Sequence, residues 1–181
     1  MLPDSGWQFA LVCEDRRVRE HHYALTVAWT GNRGVGTANH RAYGREHRVS
    51  APAKPDLPGS SDPAFRGDPE RWNPEELLVA SLAQCHMLWF LSLAASAGVV
   101  VTGYTDRPTG TMAEDPSGAG QFTEVTLNPE VTVRDLDPRG ALDADLLAQI
   151  ESLHQKANEM CFIARSVNFT VRHRPTTQIE R

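Results

Sequence analysis

The chain has 181 residues, of which 40% are hydrophobic and 23% charged, and its formal net charge is −5. That length holds one domain with a real core, or one domain plus an arm. The acidic balance argues against a nucleic-acid partner, which needs a basic face, and three cysteines (Cys13, Cys85, Cys161) are too few for a secreted disulfide scaffold.

Residues 1–20 show no clear period and read as an arm outside the core, leaving 21–181 as a single domain. Met1–Ala10 is mixed in character and Glu14–Glu20 highly charged, so no secretory leader is expected and the compartment is read as the cytoplasm. From His21 apolar residues alternate at Tyr23, Leu25, Val27 and Trp29, which predicts a half-buried strand, with a turn at Thr30-Gly31-Asn32. Gly34 to Arg48 is expected to hold one or two further strands. Pro52, Pro55, Pro58, Pro63, Pro69 and Pro74 then crowd one stretch, a density no helix or central strand survives.

Asn73 is a good N-cap, Pro74 suits the first helical position, and Glu76 stands three after the cap. The helix so predicted runs to about Ala97, with Gly98 as its C-terminal stop. Leu77 to Gly103 carries no Asp, Glu, Lys or Arg, but Gln84 and His86 interrupt it, so a helix buried on all sides of a soluble core is expected rather than a membrane span. Val99-Val100-Val101 starts a strand, Thr109–Gly120 reads as loop, and Val125, Leu127, Val131 and Val133 keep strand parity across Asn128-Pro129. A second helix after Gly140 has the apolar stripe Leu142, Leu146, Ile150, Leu153, Ala157, Cys161. Phe169, Val171 and His173 form a last short strand. This order favours an α+β fold, an antiparallel sheet wrapped around two main helices.

Two readings of Cys85 stand side by side: a small buried hydrophobe, or a reactive thiol. Mid-helix, it lies too far from the helix N-terminus for the dipole to help, so a reactive Cys85 needs a cation from elsewhere. His86 points about 100° away from it and reads as a satisfied core or interface histidine. Cys161 ends the second helix's apolar stripe, so both thiols face the core side of their helices and could meet. Cys13, beside Glu14 and Asp15, is a poor nucleophile and reads as incidental. No metal-ligand spacing, phosphate loop or dinucleotide fingerprint is present, so neither a metal nor a cofactor is expected.

The stretch Asn73-Pro74-Glu75-Glu76-Leu77 leading through Ala83-Gln84 to Cys85 resembles the segment that leads to the peroxidatic cysteine of the OsmC/Ohr hydroperoxide peroxidases. Trp29-Thr30-Gly31-Asn32-Arg33-Gly34 is similar to that family's early strand and turn, and Cys161 falls where the family has its second thiol. The resemblance covers roughly 21–175. It departs at Phe162 and His86, which follow the two cysteines, and in the long Pro-rich loop, which suggests a subgroup with a differently shaped pocket.

The resemblance implies an organic hydroperoxide substrate, Cys85 as peroxidatic and Cys161 as resolving thiol, and an external dithiol reductant. It implies Arg33 (or, if the turns align otherwise, Arg41 or Arg45) as the thiolate's cation, held by Glu75, and an intertwined homodimer with sites at the interface. One constraint follows from helix geometry: on a straight helix Glu75 and Cys85 lie about 15 Å apart. Either the helix breaks between them, or another chain completes the site. Two other functions stand beside it: a non-catalytic dimer that binds an apolar small molecule, with the cysteines as core residues, and a thiol redox sensor, which uses the same cysteines. Neither membrane nor nucleic acid is expected as a partner.

Overall fold

The computed structural model describes residues 19–134 and 143–180, and the arm with Cys13, like Leu142 of the predicted stripe, lies outside them. Strand β1 (Thr26–Trp29) pairs antiparallel with β2 (His47–Ser50), and β2 with β3 (Leu57–Gly59). The two connections differ from expectation. Gly34 to Gly44 is a run of turns, held by Asn32 Oδ1, which accepts from the Gly34 and Gly36 amides at 2.9 and 3.0 Å. The Pro-rich stretch does hold a strand, β3, which accommodates Pro58 because it is the edge strand of its sheet, with only a single bridge from Gly59 to Trp72 beyond it.

Helix α1 (Pro74–Ser96) begins as its sequence dictates. Asn73 Oδ1 accepts from the Glu76 amide at 2.7 Å and Glu76 Oε2 accepts from the Asn73 amide at 3.1 Å. Such a cap contributes about 1 kcal/mol. Gly98, at φ 75°, takes the left-handed conformation that ends it.

Beyond it, β4 (Val100–Asp106) and β5 (Thr109–Glu114) pair antiparallel with β7 (Pro129–Arg134) and β6 (Gly120–Leu127). This is one long hairpin broken in the middle, where Pro108 and Pro129 withhold amides from the ladder. Asn128 staples the break: its amide donates to Asp106 Oδ1 at 2.7 Å and its side chain to the Arg107 carbonyl at 2.9 Å. Strand β5, read as loop, is exposed along its whole length and so carries no apolar alternation.

Helix α2 (Asp143–Met160) leads into β8 (Thr170–His173), parallel to β6, and β9 (Thr176–Glu180), parallel to β7. The expected α+β fold stands: the β1–β2–β3 sheet is antiparallel, and the other two sheets are antiparallel with one parallel strand, β8 or β9, added to each. Phe90 and Ala94 of α1, Ile150 and Ala157 of α2, and Val131 and Val133 of β7 form the main core. Leu82, Val125 and Leu127 form a second. Helix α1 is long and apolar enough to cross a membrane, yet within one chain it buries a single stripe, Leu82, His86, Phe90 and Ala94. All-round burial was the expectation. One chain supplies α2 and the sheet on one side only, and Leu88 is left 62% exposed.

Candidate functional site: a thiol pair between two helices

Residues four apart stack on one side of a helix, so α1 presents two adjacent ridges to α2. Cys85 and Trp89 make one, His86 and Phe90 the other. Cys161, just past the last turn of α2, meets the first ridge. Its thiol stands beside that of Cys85, and Phe162 sets its ring edge-on to Trp89 at 5.5 Å. Both cysteines are free thiols, Cys85 half-buried and Cys161 buried. Burial pushes the Cys161 thiol up to about 11, and the adjacent Cys85 adds to the shift. The Ala164 amide, 3.4 Å from Cys161 Sγ, works the other way, toward the thiolate.

The second ridge holds His154, a residue the apolar stripe of α2 concealed. His86 Nε2 lies 3.0 Å from His154 Nδ1, and both side chains are fully buried. Their planes are 7° apart with centroids at 5.3 Å. With the nitrogens so much closer than the centroids, this is edge-to-edge geometry of an N–H···N bond rather than face-to-face stacking. Phe90 lies flat on His154 at 4.0 Å, and His173 of β8 approaches His86 at 5.6 Å. Burial, aided by neighbouring histidines, lowers His86 to about 4 and His154 to about 3, so both are neutral at ordinary pH. The outer nitrogens, His86 Nδ1 and His154 Nε2, have no partner among the described residues. His86 is thus a core histidine as expected, but an incompletely satisfied one. Each unpaired buried polar atom costs about 1–3 kcal/mol.

The other two expected residues are not brought to the thiols within one chain. Arg33, 62% exposed, pairs with Glu46 Oε1 at 3.7 Å. It lines a cleft of about 430 Å³ with Arg41, Arg45, Arg66 and Tyr43. That loop is closed by the Gly44 amide donating to the Gly31 carbonyl at 2.8 Å. A side chain on Gly31 would strike the Gly44 backbone, and one on Gly44 would strike the Glu46 carboxylate. Glu75 sits in a separate cleft of about 380 Å³ with Trp72, Val79 and Phe122, and its Oε2 is buried without a partner. Because α1 is continuous from Pro74 to Ser96, a helix break cannot bring Glu75 to Cys85. Among the described residues no group of three or more His, Cys, Asp or Glu side chains is arranged to hold a metal ion.

An α+β fold that buries one thiol against another between two helices defines a class of thiol-pair proteins. The OsmC-like protein family profile matches residues 67–175, and the chain belongs to that family. Its fold is similar to that of an OsmC-like protein of unknown function from Vibrio cholerae, at 28% identity and TM-score 0.75, covering 87% of this chain and 100% of the other. It is also similar to an organic hydroperoxide resistance protein from Legionella pneumophila (16%, TM-score 0.59, 88% and 99% covered). A third likeness is to an organic hydroperoxide resistance protein from Elizabethkingia anophelis (13%, TM-score 0.56, 90% and 100% covered). No curated protein matches the sequence.

Proposed function

We propose that the protein is a thiol-based peroxidase that reduces organic hydroperoxides to alcohols. The observation that carries this is the meeting of Cys85 and Cys161 with unequal burial. Cys85 is open enough to meet a peroxide, while Cys161 waits behind it as a protonated thiol. Cys85 as thiolate attacks the peroxide oxygen and the O–O bond breaks. The alkoxide leaves and takes a proton as the alcohol, and Cys85 becomes a sulfenic acid. The Cys161 sulfur then attacks the Cys85 sulfur, and its proton leaves with the sulfenic oxygen as water. An external dithiol returns two electrons and two protons to the disulfide, and we assign this cycle to the cytoplasm, where dithiols are kept reduced.

The cation for Cys85 comes, in this reading, from Arg33 released from Glu46 and seated on Glu75, whose unpaired buried oxygen is an open acceptor for a guanidinium. Since α1 holds Glu75 away from Cys85 of the same chain, the Arg33–Glu75 pair serves the thiols of a second copy. The exposed apolar strip Tyr23, Leu25, Val27 and Trp29, together with Leu88, is what that copy would cover. The apolar cleft beside Glu75 suits the organic part of the substrate. It would equally suit an apolar ligand of a non-catalytic binding protein.

Stopped-flow reaction of the reduced protein with cumene hydroperoxide and with hydrogen peroxide, followed by mass spectrometry, separates these readings. Fast reaction favouring the organic peroxide and ending in a Cys85–Cys161 disulfide is the expected result. Reactivity no greater than that of free cysteine would leave binding as the function.

A further inference from the structure

The His86–His154 pair takes no part in the chemistry above, yet it occupies the helix contact beside the thiols. His154 lies in α2, and Cys161 follows seven residues later, just past its last turn. They meet adjacent residues of α1, His154 bonded to His86 and Cys161 beside Cys85. His154 is fixed from two directions, its edge by the bond to His86 and its face by Phe90. An apolar pair in this place would allow α2 to slide or roll on α1, whereas an N–H···N bond has one direction and one length. The bond is kept although it leaves two buried nitrogens without partners. That is the pattern of a polar core contact retained for geometry rather than for stability.

We propose that the His86–His154 bond is a positioning element for disulfide closure: it sets α2 on α1 so that Cys161 Sγ stands within reach of Cys85 Sγ. The two histidines touch neither substrate nor the reacting sulfurs. They act through the seat of α2. His173 of β8 supports the pair from the sheet side by packing on the His86 ring. The inference builds on the proposed peroxidase reading in taking closure as the step that matters, but its geometry stands on the two thiols alone.

The test times the two steps separately in the full-length protein. In His154→Leu, formation of the Cys85 sulfenic acid by cumene hydroperoxide, trapped with dimedone, is expected within about twofold of wild type. Closure of the disulfide is expected to slow by about tenfold to a hundredfold, the scale of a misplaced reacting group. His154→Asn, whose amide falls where Nδ1 falls, restores closure. His154→Gln, one carbon longer, does not. Closure is measured again with diamide, which accepts the two electrons and two protons of the thiol pair without any peroxide. A protein that proves unreactive toward hydroperoxides thus still reports on positioning, and failure of the two ideas is told apart. Closure at the wild-type rate in both the Leu and Gln variants overturns the proposal. Loss of both steps in proportion, tracking a fall in Tm, overturns it as well, since that marks a merely structural contact. If the Leu variant does not fold, His154→Asn against His154→Gln decides alone, and His86→Gln against His86→Asn repeats the decision from α1.

Discussion

Cys161 is buried and its thiol is held protonated, so replacing it removes the second sulfur without altering what a peroxide meets first. The expected outcome of Cys161→Ser is a single turnover that leaves Cys85 as sulfenic or overoxidised acid, read by intact mass, with multi-turnover activity lost. Sustained turnover in this variant would remove Cys161 from the mechanism. Arg33→Ala withdraws the cation assigned to the Cys85 thiolate. Iodoacetamide should then alkylate Cys85 at least about tenfold more slowly at neutral pH, the size of effect a neighbouring charge has on thiolate population. Alkylation at the wild-type rate across pH would point to Arg41 or Arg45 instead. Glu46 was not legible as Arg33's partner, because the contact depends on Gly31 and Gly44 folding the loop back on itself, a closure between residues far apart in sequence.

At the scale of elements, the His86–His154 contact makes α1 on α2 sensitive to acid. Both rings lie well below the ordinary 6.5, His86 at about 4 and His154 at about 3. The unfolded chain therefore binds protons that the folded one refuses. Stability is complete above pH 6.5 and falls as pH drops through the window toward 4, by up to about 1.4 kcal/mol per pH unit for each ring. Urea unfolding between pH 7 and pH 4 should show this slope. In His86→Gln the slope should be about halved, and an unchanged slope would mean that other groups carry it. Helix α1 was readable to within a residue because its signals are local: Asn73, Pro74, Glu76 and Gly98 act on the backbone beside them. Strands β3, β5 and β9 were not. β3 carries Pro58, β5 faces solvent on both sides, and β9 has Ile179 as its one strongly apolar residue, so what makes each a strand is a partner elsewhere in the chain. His154 was hidden for a similar reason. It stands beside the apolar stripe of α2, and only the facing His86 gives it a role.

For the whole molecule, the unresolved tension is α1, charge-free through most of its length but packed by its own chain on one stripe. A second copy over Leu88 and the β1 face would relieve it, and sedimentation should then show a dimer. Leu88→Asp, placing a charge on the exposed side of α1, is expected to shift the protein toward monomer and to lower peroxidase turnover with it. A monomeric variant that kept full turnover would mean each chain completes its own site. The thiol pair was legible from sequence because Cys161 closes the apolar stripe of α2 and Cys85 sits in the middle of an apolar helix, one ridge beside its buried stripe. Completion of the site was not, since it turns on which chain supplies Arg33 and Glu75.

The two parallel pairings carry a consequence for how the protein is made. Val125 is bonded beside Val171, and Val131 beside Thr177, with all of α2 in between. Contacts so distant in sequence form late, because closing the intervening loop must come before the ladder rewards it. Until β8 and β9 arrive, β6 and β7 lack their parallel neighbours, and α2 packs on α1 and β7 without the full sheet that later surrounds them. A chain caught at that stage would carry Cys85 and Cys161 in an incompletely supported helix pair during the slowest part of folding. On the proposed peroxidase reading, the protein would meet its own substrate before it is finished.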